Sequence, residues 1–178
     1  EFAHARRKNL LLRDLDELVN QQLAKMLFAN PQRIDYYDRY QEIIDAYNAE
    51  QNRATIEKTF MDLMELASSL DTEQQRYVRE GFSSDEELSV YDLLFSENLT
   101  KQEIETIKKV SVDLLTKIKQ QIAKLDHWTD KQETKAIVDN LIRNTLWQEL
   151  PNSYDVSDIQ TYQKKIYEYV YMRYPEVA

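Results

Sequence analysis

The chain has 178 residues, of which 42% are hydrophobic and 31% charged, with one glycine, three prolines and no cysteine. A single glycine excludes phosphate-cradling loops, which need several residues without side chains so that backbone N–H groups can approach an anion, and zero cysteines exclude disulfides, thiolate metal sites and cysteine nucleophiles. A net charge of −9 disfavours nucleic acid or an anionic membrane as the bulk partner.

Apolar spacing and start signals predict about eight helices and an all-α, irregular multi-helix bundle with no sheet. The first covers roughly 5–29, with Leu11, Leu15, Leu18, Val19 and Met26 on one stripe. The second, roughly 31–50, follows Asn30-Pro31, an N-cap with proline at the first helical position, and places Ile34, Tyr37, Ile43, Ile44 and Tyr47. The third, roughly 54–70, carries Ile56, Phe60, Leu63, Met64, Ala67 and Leu70. Short helices are expected at 72–80 and 84–96, with Gly81 as a left-handed C-terminal cap between them. The longest, 101–125, buries Ile104, Ile107, Leu114, Leu115, Ile118, Ile122 and Leu125. Helices at 130–149 and 157–174 end at Pro151 and Pro175.

Five pairs have capping-box spacing: Thr72…Gln75, Ser84…Glu87, Thr100…Glu103, Thr129…Gln132 and Ser157…Gln160. The polar run Asn48 to Arg53 reads as a linker. It divides a two-helix arm at 1–52, its own domain or the end of a preceding helical region, from a bundle at 53–178. No apolar run reaches the ~20 residues of a membrane span, and a cytoplasmic protein is expected.

Catalytic constellations do not emerge. His127, between Asp126 and Trp128 with Asp130 nearby, could serve as a base or as an ordinary loop histidine; no nucleophile is placed beside it. His4 lies near the start of the chain. Glu133-Thr134-Lys135 has a Glu-x-Lys form used by magnesium nucleases, but it sits inside a predicted helix without the strand-borne acid that chemistry requires. Asp85, Glu86 and Glu87 suit a helix N-terminus. No metal site and no catalytic residue is therefore expected.

Two surface features remain. On the 101–125 helix, Lys109, Lys117 and Lys124 project opposite the apolar arc, while Lys101, Lys108 and Lys119 flank it. They form either a solvated face or a phosphate-contacting one, and Arg6-Arg7-Lys8 carries the same ambiguity. On the last helix Ile159, Tyr162, Ile166, Tyr169 and Val170 form a core stripe, whereas Tyr167, Tyr171 and Tyr174 fall elsewhere. Those three and Trp128 are either packed within the bundle or presented to a partner.

The segments RIDYYDRYQEIIDAYN (33–48), YVREGFSSDEELSVYDLL (77–94), LTKQEIETIKKVSVDLLTKIK (99–119), LDHWTDKQETKAIV (125–138) and IYEYVYMRY (166–174) are together similar to the C-terminal helical region of the R subunit of type I restriction–modification enzymes. That resemblance implies a bacterial, cytoplasmic parent. The parent would be an ATP- and magnesium-dependent DNA translocase and site-specific endonuclease whose chemistry lies in other domains. For this fragment it implies no enzyme activity and no cofactor. Its implied role is to dock the motor subunit onto the methyltransferase (M) and specificity (S) subunits, with Trp128, Tyr167, Tyr171 and Tyr174 as candidate contacts. The alternative is an auxiliary DNA-contacting module using Lys109, Lys117, Lys119 and Lys124.

Overall fold

The computed structural model describes residues 2–50 and 52–175, with side chains described from residue 10 onward. The basic cluster Arg6-Arg7-Lys8 and His4 therefore lie outside the described side chains. Among the described residues there are eight α-helices, one 3-10 turn and no strand. The helices are α1 (Phe2–Ala29), α2 (Ile34–Ala49), α3 (Arg53–Gln74), α4 (Arg76–Arg79), α5 (Asp85–Leu94), α6 (Lys101–Ile122), α7 (Gln132–Glu149) and α8 (Val156–Arg173). They fall into two compact units, Glu1–Glu80 and Gly81–Ala178.

The first unit is an up-down-up arrangement in which α3 packs along both α1 and α2. Gln22 of α1 donates to Asp71 of α3 at 2.7 Å, while Leu11, Leu12, Ile56 and Phe60 meet nearer the start of the same two helices, so α1 and α3 run parallel. Arg39 of α2 reaches Glu65 and Arg33 reaches Glu73, so α2 runs antiparallel to α3. The core holds Leu12, Val19, Leu23, Met26, Tyr40, Ile43, Leu63, Leu66 and Leu70. The stripe on α1 is thus rotated from the expected one. Leu11 and Leu18 are exposed, as are Ile34, Tyr37 and Met64 on the other two helices. Arg33 is buried because Glu73 faces it: their side chains pair at 3.0 Å, Arg76 reaches the same carboxylate oxygen at 2.8 Å, and the Tyr36 hydroxyl donates to its other oxygen at 3.5 Å.

The expected linker at 48–53 joins two helices of this one unit. Asn52 caps α3 by accepting from the Thr55 N–H at 2.9 Å, and the compact units divide at Glu80/Gly81 rather than at 52/53. Thr72 and Gln75 form no start either, since α3 continues through Leu66, Leu70 and Glu73 on one buried stripe. Gly81 follows α4 at φ +85°, the left-handed conformation that glycine adopts without steric cost.

The second unit is a ring of four helices in which α5 packs on α6, α6 on α7, α7 on α8 and α8 on α5. Thr100 and Glu103 close the capping box expected at the start of α6. The Glu103 carboxyl is held below the usual range by the Thr100 hydroxyl first and then by Ser153 and the Thr100 backbone. Ser84 caps α5. The start of α8 is set by Asp155 and Asp158 instead of Ser157 and Gln160, because carboxylates two residues upstream satisfy the orphan N–H groups first. At α7 the N-cap residue is Lys131, without a side-chain cap.

Candidate interaction surface

Trp128 lies in the segment between α6 and α7, after His127, which takes φ +45°. That left-handed turn lets the chain reverse while the indole points inward. Trp128 is 1% exposed, and its Nε1–H donates to the Tyr174 carbonyl just beyond α8 at 2.7 Å. Its ring meets Tyr167 and Tyr171 edge to face, with centroids at 6.2 and 5.7 Å. The Thr134 hydroxyl donates to the Trp128 carbonyl at 2.7 Å, which fixes the segment to α7. Three chain regions distant in sequence are thereby clasped around one indole.

The aromatic residues expected at a partner surface therefore divide. Trp128 and Tyr174 (7% exposed) belong to the interior of the unit. Of the two alternatives the sequence leaves open, these two side chains take packing within the bundle: a buried indole keeps its N–H satisfied by a carbonyl, and that carbonyl is supplied by the end of α8. Burial raises the Tyr174 phenol above its ordinary value, with Tyr169 and Glu86 adding to the effect. Tyr167 is half-buried, its phenol pushed up by burial and then by Asp139. Tyr171, 38% exposed, reaches the surface, with Lys135 Nζ 5.7 Å from its ring centroid.

The lysines of α6 divide as well. Lys117 pairs with Asp113 at 2.5 Å and Glu149 at 2.6 Å, and these hydrogen bonds, Asp113 first, hold its ammonium more firmly charged. Lys119 pairs with Glu86 of α5 and lies 5.3 Å from the Tyr174 ring centroid. Only Lys109 and Lys124 of the four candidates are exposed. Two of the four expected phosphate-facing charges are thus already matched by carboxylates of the same unit.

His127 is exposed and its Nε2 lies 3.5 Å from Asp126. Glu133 is exposed on the first turn of α7. No cluster of three or more metal-ligating side chains occurs among the described residues, and none of their helices is long and apolar enough to cross a membrane.

Two surface features went unread in the sequence. One is an apolar groove of about 440 Å³ between α1 and α3, lined by Leu11, Leu12, Ile56, Glu57, Phe60 and Met61. The other is the outward face of α7, where Ile137, Arg143 and Trp147 are exposed opposite Val138, Ile142 and Leu146. The α7 face was legible as the complement of the buried stripe. The groove depends on which leucines of α1 turn inward, which spacing alone left ambiguous.

The family described as type I restriction enzyme HindI endonuclease subunit-like, C-terminal, matches residues 1–174. No curated protein and no solved structure matches the chain.

Proposed function

Since this chain belongs to the family of type I restriction enzyme HindI endonuclease subunit-like C-terminal domains, we propose that it is a non-catalytic docking domain. It holds the ATP-dependent translocase and endonuclease subunit on the methyltransferase–specificity core. The reaction, with its ATP and magnesium, belongs to other parts of the parent subunit.

The observation that carries this reading is the clasp around Trp128. A segment of irregular chain is locked to α7 and to the end of α8 by two hydrogen bonds and two ring contacts. A preorganised surface loses less freedom on association, which favours affinity. Tyr167 and Tyr171 act at the margin of this surface, and Trp128 and Tyr174 act beneath it as supports. Capture of the purified methyltransferase–specificity core by this chain tests the proposal. Retention of the core at micromolar concentration is expected, and absence of retention, when the complete motor subunit does retain it, would refute autonomous docking.

A second reading, contact with duplex DNA, is favoured by the exposure of Lys109 and Lys124. It is weakened by the pairing of Lys117 and Lys119 with carboxylates and by the net charge of −9. Gel-shift binding that falls steeply with salt and is lost in Lys109→Glu/Lys124→Glu would support it.

A further inference from the structure

We infer that the outward face of α7, centred on Trp147 and Arg143, is the anchor of the docking interface and receives an apolar protein surface that bears a carboxylate. The inference rests on the docking reading and extends its surface from the Trp128 clasp along α7.

The inward side of α7 is fully used, with Val138, Ile142, Thr145 and Leu146 buried against the rest of the ring. Opposite them, at spacings of three, four and seven, stand Ala136, Ile137, Asn140, Arg143, Asn144 and Trp147, all exposed. Trp147 is 49% and Ile137 42% exposed. Leaving half an indole in water is unfavourable, and tryptophan and arginine are, with tyrosine, the residue types enriched where binding energy concentrates.

Charge on this face points to one kind of occupant. The two carboxylates of α7 after its first turn are directed sideways. Asp139 accepts from Gln163 of α8 at 2.9 Å, and Glu149 pairs with Lys117 of α6. Glu133 is exposed at the N-terminal edge of this face, three residues before Ala136. From Ala136 to Gln148, around Trp147, the face holds no carboxylate, and Arg143 is the one formal charge there. Arg33, Arg39, Arg53 and Arg76 each pair with a glutamate, whereas Arg143, like Arg13 and Arg79, makes no ion pair with a described residue, and of these three it alone stands one helical turn from an exposed tryptophan. A guanidinium left without a carboxylate in so acidic a protein, one helical turn from an exposed indole, is complementary to an acid set beside an apolar pocket. One positive charge cannot neutralise a run of phosphates, so duplex DNA fits this face poorly.

The test uses the complete 178-residue chain and the methyltransferase–specificity core, with affinity measured by titration calorimetry for wild type, Trp147→Ala, Arg143→Glu and Arg143→Lys. Helicity should match wild type in all three; Arg143→Glu and Arg143→Lys should also keep the wild-type Tm, while Trp147→Ala, which loses the covered half of its indole, is read beside its own Tm. Trp147→Ala and Arg143→Glu are each expected to weaken binding by about tenfold or more, and Arg143→Lys by less. If wild type binds and both severe variants bind equally well, this inference falls while the docking reading stands. If wild type does not bind the core, both fall together. Dimerisation of the chain alone that Trp147→Ala abolishes would make a second copy the occupant, and salt-steep DNA binding lost in Arg143→Glu would make it DNA. Either result overturns the inference.

Discussion

Replacing Trp128 with alanine removes the largest fully buried side chain of the molecule. Truncating a buried tryptophan to alanine costs about 3–5 kcal/mol through lost burial and the cavity left behind. Two edge-to-face contacts, with Tyr167 and Tyr171, contribute about 0.5–1.5 kcal/mol each beyond area, which places Trp128→Ala toward the upper part of that range. Trp128→Phe separates the causes. It keeps a ring in place but deletes the N–H that satisfies the Tyr174 carbonyl, and a buried acceptor left unpaired costs about 1–3 kcal/mol. Urea unfolding followed by circular dichroism gives both values, and amide hydrogen exchange across α6, α7 and α8 assigns the loss to the second unit. The phenylalanine variant should fall between wild type and alanine. A loss below about 1 kcal/mol for Trp128→Ala would refute the assignment of this indole as an internal clasp. Unaltered stability together with loss of the methyltransferase core would return it to the surface role read from the sequence.

Glu73→Ala removes the carboxylate shared by Arg33 and Arg76 and should destabilise the first unit by about 3–5 kcal/mol, measured by thermal melting; a negligible change would show that the buried guanidinium is indifferent to its acid. Thr100→Ala should cost about 1 kcal/mol through loss of the cap, read as a lower urea midpoint and faster exchange in the first turn of α6. The phenols of Tyr154, Tyr169 and Tyr174 are all raised above 10.0, chiefly by burial. Ionisation is then easier in the unfolded chain, so their contribution is complete below pH 10 and declines as pH rises beyond it. The last fraction of tyrosinate absorbance, from these buried phenols among the twelve tyrosines, should appear together with loss of helicity in alkaline titration; complete ionisation with helices intact would contradict their burial.

How far the sequence reveals the fold depends on how one-sided each helix is. In α6, Ile107, Leu114, Leu115, Ile118 and Ile122 all lie on one arc and all are buried, so spacing finds the centre of the stripe; Ile104 is only half-buried, and Leu125 is half-buried beyond the end of the helix at Ile122. In α1 the leucines occur on several sides, and Leu12 and Leu23 were selected over Leu11 and Leu18 by packing against α3, a non-local choice. Capping boxes behaved similarly. Thr100…Glu103 forms as spaced, whereas Thr72…Gln75 is overridden because its helix has more stripe to bury. The surface proved least legible. Tyr174 and Trp128 are 46 positions apart, and Tyr154 donates to the Leu94 carbonyl across 60, so their burial is set by tertiary partners that no local pattern contains. The lysines of α6 show the same limit, since Glu86 and Glu149 arrive from other helices.

The two tryptophans stand in opposite surroundings, Trp128 sealed and Trp147 half in water, and both belong to the second unit. Indole emission from this chain thus carries two separable signals: a blue-shifted one inaccessible to soluble quenchers, and a red-shifted one open to them. Without any attached dye, the accessible signal reports whatever settles on α7, while the sealed one registers only melting of the ring around it. The first unit, with no indole of its own, stays dark to both.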